Sequence, residues 1–402
     1  MTARTHTTRR RLLQGAGAVT LLAAGGVVWR GVDRGAFTTV QGPAYAPWKL
    51  YGTADLQGTP EAVAAAGTLA SNAHNTQPWI FRVDGEEITL YADLSRNLGA
   101  FDPFLREMHL SLGCALENMV QAAPAHGFAV RVLPEGGDLQ SLSAREGRRM
   151  VARVRLTADP KARATPLSDA IIGRHTNRGP YDHARPVPPE LRAALAKPYP
   201  DFSDISVHWF DDAEPRQRFD RLTVTATERI IADTRMVQDS DAWFRLTQDE
   251  INEHRDGPTI DAAGLSAPVR IAAKWLPPLP PEQTHATWLS STRDIHLATA
   301  PLAGIIAVNN LYDVHQTLDA GRQWQRMHLT ATAAGLAMQP LNQTVEVVDR
   351  EAQLGQPDRM AEELATLIGT RRARPTFVFR AGYPARQAIP SPRRSFEDVI
   401  AG

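Results

Sequence analysis

Nine consecutive residues, Ser71-Asn72-Ala73-His74-Asn75-Thr76-Gln77-Pro78-Trp79, gather amide, hydroxyl, imidazole and indole groups into one short stretch. Pro78 biases Gln77 toward extended backbone and ends any helix before it, so an ordered turn feeding a strand is expected. Ser71, Asn72, Asn75, Thr76 and Gln77 carry hydroxyls and carboxamides that both donate and accept, which suits a polyol or the edge of a heterocycle. The same groups would equally satisfy local backbone at a polar helix end. A second segment, Arg174-His175-Thr176-Asn177-Arg178, places two guanidiniums four residues apart with a hydroxyl between them. Guanidinium forks match phosphate oxygens and the hydroxyl adds a neutral donor, so the turn reads either as a phosphate-monoester site or as a solvated basic turn.

The surrounding pattern indicates how these segments are held. Thr59-Pro60-Glu61 has the N-cap, first-turn proline and acidic first turn of a helix reaching about Ala70, with the polar loop at its end. Trp79–Val83 and Glu87–Ala92 read as strands joined at Asp84-Gly85, with Trp79 anchoring the hairpin in the core. From Phe104 to His126, Met108, Leu112, Ala115, Leu116, Met119, Val120 and Ala123 recur at helical spacing, closed by Gly127 and kinked at Pro124. Gly113, Cys114 and Ala115 allow another backbone close to this helix, and Asn118 is expected to be buried with a local partner. Strands follow at Ala129–Leu133 and Met150–Leu156. After Ala158-Asp159-Pro160 the pattern restarts, and Thr165-Pro166 opens a short helix that delivers Arg174 at its end. Pro186, Pro188 and Pro189 stiffen a link into a helix through Leu191 and Leu195. Residues 211–301 are helical at first (Arg216–Asp239), then irregular around Trp275–Pro281, an insert that reads equally as a lid beside a ligand site or as a peripheral arm. Gly304–Asn309 resembles a buried strand, followed by a helix to about Gly335 with Trp324, Met327, Leu329 and Ala333 inside. Phe377–Pro384 is a strand and turn leading to Ser391-Pro392-Arg393-Arg394-Ser395.

Taken together, R-H-T-x-R and S-x-x-x-N-x-Q-P-W resemble two FMN-contacting segments of the nitroreductase family, and the chain resembles its Acg-type branch, in which two nitroreductase-like halves are joined. The resemblance runs from about Thr59 to the C-terminus and is weakest between Trp209 and Ala300. It implies an α+β fold of two fused halves, each a mixed sheet flanked by helices, forming a pseudo-dimer: residues 36–160, then 161–402 with the insert at about 211–301. It implies FMN as cofactor, held by Arg174, His175, Thr176 and Arg178 from the later half and by Ser71, Asn72, Asn75 and Gln77 from the earlier one. In the resembled family the turn matching Met338, Gln339, Pro340 and Leu341 lies against the flavin ring near N5, acting through backbone groups. A basic residue near the C-terminus returns to the phosphate, so Arg393 or Arg394 is a third candidate cation. The first half has the amide loop without a basic turn, since Leu50–Asp55 contains no Arg, and the second half has no second Q-P-W, which implies one complete FMN site per chain. No side-chain acid or nucleophile is needed when the flavin carries the chemistry. The expected activity is reduction of a nitroaromatic, quinone or similar small electron acceptor, with NAD(P)H or another reductant as donor; the alternative is an exported protein that holds flavin without turnover.

Composition limits the other readings. The 402 residues, 43% apolar and 22% charged, make an ordinary globular chain with room for two domains. The 44 basic and 44 acidic residues cancel, but residues 1–35 hold six Arg against one Asp, which leaves the remainder with 38 basic and 43 acidic residues. Such a body has no general electrostatic affinity for nucleic acid. With Cys114 alone, an intrachain disulfide and a Cys-rich zinc site are excluded. There is no His-Glu-x-x-His helix, phosphate-cradling glycine loop with Lys, or Gly-x-Ser-x-Gly elbow, and His285, His296 and His315 lack metal-ligand spacing. Thr8-Arg9-Arg10-Arg11-Leu12-Leu13 before the apolar run Gly15–Trp29 resembles a twin-arginine export signal, which takes folded, cofactor-loaded proteins. Engagement of the twin-arginine machinery is therefore expected, followed by a periplasmic, extracellular or membrane-tethered location.

Overall fold

The computed structural model describes residues 31, 35–53, 56–140 and 147–401, so the twin-arginine-like segment lies outside the described residues. Thirteen α-helices and eight strands are found among them. After α1 (Ala46–Leu50), helix α2 (Pro60–Thr68) begins where Thr59 accepts from Ala62 N at 3.2 Å and Pro60 takes the first turn. Hairpin β1 (Trp79–Asp84) and β2 (Glu87–Asp93) turns at Gly85, φ 57°, a left-handed position that glycine takes without penalty. The long helix α3 (Arg106–Ala122) is buried along almost its whole length and ends as Pro124 forces a tighter turn closed by Gly127. Strands β3 (Phe128–Pro134) and β4 (Arg148–Ala158) complete a sheet ordered β1-β2-β4-β3.

The second set repeats that order. Helices α4 (Pro166–Gly173) and α5 (Pro189–Ala196) precede β5 (Ile205–Phe210); β6 (Leu302–Val308), the buried helix α11 (Val314–Ala333), β7 (Ala337–Pro340) and β8 (Arg374–Gly382) follow, in a sheet ordered β5-β6-β8-β7. The class is therefore α+β, as expected. Every pairing inside the two sheets is antiparallel; the mixture expected there reduces to one parallel bridge, Phe81–Ile400, where the C-terminal segment lies on the edge of β1.

Helices α3 and α11 cross backbone to backbone. A Cβ on Gly113 would sit 2.1 Å from Leu318 O, and one on Gly321 would sit 2.1 Å from Leu110 O, a reciprocal pair of contacts. Beside the crossing, Gln325 donates to Asn118 Oδ1 at 2.6 Å and Asn118 donates to Ala66 O at 2.8 Å, the local partnership expected of that residue. Ala333, expected inside, is exposed in the last turn of α11. Between β5 and β6 stand α6 (Ala213–Ala232), α7 (Thr234–Asp241), α8 (Gln248–His254), α9 (Ala267–Trp275) and α10 (Pro281–Ser291); α12 (Gln343–Gln353) and α13 (Arg359–Leu367) lie between β7 and β8. No helix among the described residues is long and apolar enough to cross a membrane.

Candidate functional site

The polar loop after α2 is wound tightly. His74, Asn75 and Gln77 have φ of 45°, 53° and 51°, left-handed values costing about 1–2 kcal/mol each without glycine. The loop is over-determined by its own bonds: Gln77 N donates to Asn72 Oδ1 at 2.8 Å, and Ala73 N donates to Ser111 Oγ at 3.0 Å from α3. Asn72 is thereby committed to shaping the loop. Ser71 is fixed from α11, its N–H donating to Gln325 Oε1 at 3.1 Å and its hydroxyl accepting from Trp324 Nε1 at 3.2 Å.

The basic turn is set by a capping box. Thr165 and Ser168 exchange side-chain and backbone bonds, Pro166 opens α4, and Arg174 is its C-cap. The Arg174 guanidinium turns inward, donates from Nη2 to Leu69 O at 3.0 Å, and leaves Nε without a partner. Arg393 arrives from the C-terminal tail, which is laid along the start of the chain by Trp48 Nε1 to Ser391 O at 2.8 Å and Arg393 N to Ala44 O at 2.7 Å. Its guanidinium donates to Asn75 Oδ1 at 2.5 Å, Ala70 O at 3.1 Å and Leu69 O at 3.5 Å, and its Nε is also unpartnered. Arg174, Arg393 and Asn75 therefore meet around the carbonyls that end α2, over the face of Trp48, 4.8 Å from Arg393.

Electrostatically the cluster is unusual. Arg174 and Arg393 are 2% and 3% exposed, and among the described residues neither has a carboxylate within ion-pair distance. Burial alone lowers Arg174 to about 10. Burial and the neighbouring Arg174 charge depress Arg393 strongly. His175, edge-on to Trp48 at 4.6 Å, is pushed down to about 3 by burial and both cations. Two buried like charges without an acid are costly, and an anion would relieve both.

The remaining predicted residues divide. Thr176 is half-buried, its hydroxyl making no hydrogen bond among the described residues, and Arg178 donates to Ala262 O at 3.2 Å. Strand β7 is joined to the turn: Met338 O accepts from Asn177 N at 3.2 Å, Gln339 Oε1 accepts from Arg380 at 2.8 Å, Pro340 ends the strand, and Leu341 N donates to Val378 O at 2.7 Å. Arg394 does not join the cluster. Its guanidinium faces Asp398 O at 2.9 Å, Gln77 O at 3.4 Å and Asp93 at 3.9 Å, and its backbone N–H donates to Gln77 Oε1 at 2.8 Å. Gln77 is fully buried and also donates to Arg255 O at 2.9 Å, so it links the loop, the tail and the insert. Gln77→Ala strands those groups and should lower stability by about 1–3 kcal/mol in urea titration; an unchanged midpoint would show the linkage to be idle.

Sequence reasoning missed three features. Arg380, fully buried on β8, stacks over Tyr181 at 3.9 Å and donates to Gly179 O at 2.7 Å, bracing the basic turn without an acid. His328 lies near Arg174, and neither ring nitrogen makes a well-formed hydrogen bond among the described residues. Residues 255–264 of the insert lie on the site itself: Gly257 N donates to Asn75 O at 3.2 Å and a Cβ on Gly264 would be 2.3 Å from Gly179 N. Asp256 ties this segment to Arg96 and, at 2.8 Å, to Arg245. The proline-rich stretch near Leu276 and Leu279, by contrast, is exposed. Two surface cavities of about 580 and 510 Å³ flank α6 and are lined by none of the predicted residues.

No family model matches the chain. Two strains of Mycobacterium tuberculosis carry a protein provisionally named NAD(P)H nitroreductase that is 26% identical over 349 residues, covering 85% of this chain and 91% of the relative. Among solved structures, the FMN-dependent nitroreductase of Mycobacterium smegmatis in complex with NADPH aligns with 59% of this chain and 97% of its own, at 16% identity and a TM-score of 0.38. A nitroreductase with bound FMN from Bacteroides fragilis covers 58% and 95%, at 13% identity and a TM-score of 0.33. Over most of its length the chain is similar in sequence to proteins named as NAD(P)H nitroreductases, which supports its placement with that family.

Proposed function

We propose that the chain is an FMN-dependent oxidoreductase of the nitroreductase type, with one flavin held where Arg174, Arg393 and the 71–77 loop meet. The observation that carries this reading is the pair of buried guanidiniums with no acid, each leaving Nε without a partner. An orphaned cationic pair beside carboxamides fits a phosphorylated polyol better than a neutral ligand. Arg174 and Arg393 neutralise the phosphate, Thr176 adds a hydroxyl donor, and Asn75 with Ser71 faces the ribityl chain or ring edge. Met338, Gln339, Pro340 and Leu341 supply backbone beside the ring. When bound, FMN supplies two-electron redox chemistry, and the protein's part is to bind, orient and shield it. His74, held neutral down to about 4 by burial and the Arg178 charge, and His175 are structural, since neither is poised to exchange a proton near neutrality.

The identical strand orders and the reciprocal glycine contacts of α3 and α11 support two fused halves, residues 36–160 and 161–402, related by a pseudo-twofold. The relatives' name supports NAD(P)H as donor, a nitroaromatic or quinone is the acceptor, and the segment at Arg9-Arg10 directs twin-arginine export. A second reading, a flavin-holding protein without turnover, is favoured by one observation: residues 255–264 cover both the amide loop and the basic turn. Anaerobic addition of NAD(P)H to the full chain separates the two. Loss of the flavin absorbance, restored by a nitro compound, is expected for the oxidoreductase; a yellow protein that stays oxidised supports holding alone.

A further inference from the structure

The structure assigns His328 to the same site: we propose that its ring N–H donates to the anionic group that Arg174 and Arg393 are placed to hold. This rests on the reading above and adds a residue that lies in neither of the two motifs. His328 is 1% exposed on α11, and among the described residues neither Nδ1 nor Nε2 has a hydrogen-bond partner of good geometry, the backbone of His175 being the group that comes nearest to one. A buried donor or acceptor left unmade costs about 1–3 kcal/mol, so an imidazole without a well-formed bond leaves its ring N–H open to an acceptor that is not protein.

The surroundings say which partner. Helix α11 packs on α4, whose C-cap is Arg174, and the backbone of His175 approaches the ring without a well-formed bond. Arg174 is the charge felt most strongly by the ring, and with burial it keeps the imidazole neutral. The ring is steadied by Trp324 at 5.2 Å, the same indole that holds Ser71. Arg174 thus lies near both Arg393 and His328, each of the three side chains coming from a separate segment and each keeping a nitrogen without a well-formed bond. All three can donate, and no carboxylate stands among them to accept. A phosphate beside two guanidiniums has oxygens to spare for one neutral donor.

The test uses the full chain stripped of flavin, with His328→Leu and the donor-keeping His328→Asn. Affinities for FMN and riboflavin are measured by fluorescence quenching, and protection by inorganic phosphate is measured by thermal shift. His328→Leu should weaken FMN about tenfold, leave riboflavin unchanged, reduce the phosphate shift, and raise the ligand-free Tm because two orphaned nitrogens are gone. His328→Asn should recover most of the FMN affinity. Equal weakening of FMN and riboflavin, or of neither, overturns the assignment. A drop in ligand-free Tm also overturns it, because a buried water was then serving the ring. Wild-type chain that binds neither flavin contradicts the parent reading only; the phosphate arm then decides for His328, and a shift unaffected by His328→Leu, or absent in the wild type, overturns it.

Discussion

Replacing Arg174 by methionine should make the flavin-free chain more stable and its hold on FMN roughly a hundredfold weaker. The two signs follow from one cause. In the absence of an anion, Arg174 is a buried cation beside a second buried cation, with one carbonyl bond and an orphaned Nε to offset desolvation. Replacing buried ionic groups by apolar ones of similar volume is commonly neutral or stabilising by about 1–4 kcal/mol, and methionine fills much of the same space. Leu69 O keeps a donor, because Arg393 also reaches it at 3.5 Å. With the phosphate present the balance reverses, since the substitution leaves a buried charge short of a partner, a loss of about 2–5 kcal/mol. Thermal unfolding of the stripped protein and FMN titration check the two halves separately. A variant less stable than wild type yet still binding FMN normally would mean that Arg174 is a structural strut.

The largest effect on stability belongs to the helix crossing. Gly321→Ala should destabilise the chain by about 3 kcal/mol, read as a lowered urea midpoint. Alanine is the better helix former by about 1 kcal/mol, so propensity alone predicts the opposite sign. Space decides: the new methyl would lie 2.1 Å from Leu110 O and 2.8 Å from Leu110 C, and backbone cannot swing aside as a side chain can. Relief requires α3 and α11 to separate, loosening Cys114 Sγ to Gly321 O at 3.3 Å and Gln325 to Asn118 at 2.6 Å. Gly113→Ala meets Leu318 O in the same way, so the double variant should cost less than the sum of the singles, one separation relieving both clashes. A Gly321→Ala protein as stable as wild type would mean that the helices do not touch there.

What could be read from residues alone was local. Thr165-Pro166 announced a helix whose end delivers Arg174, and Asp84-Gly85 announced a hairpin, because caps and turns depend on neighbours in sequence. The pairing of Arg174 with Arg393 was within reach only through the family resemblance. The choice between Arg393 and Arg394 was not, since adjacent residues on an irregular tail point to opposite sides and only Trp48 and Asn75 settle which turns inward. Strand β5 was not among the expected strands, although Ile205, Val207 and Trp209 alternate with Ser206 and His208 at the period of a half-buried strand. Residues 255–264 carry no motif, and their place on the site depends on backbone bonds to Asn75 and Gln77 that composition does not encode. His328 stands four residues after Trp324, on the buried face of an obvious helix. Its burial was legible there, whereas its lack of partners is a property of three dimensions.

The decisive measurement is flavin stoichiometry on the full chain as purified and after incubation with excess FMN, for wild type and for Arg174→Met/Arg393→Met. One tightly held FMN per wild-type chain, with essentially none on the double variant, is the expected result. A colourless wild-type protein that takes up no FMN, or a double variant that retains as much as wild type, would contradict the proposal that these two buried cations exist to hold a flavin phosphate.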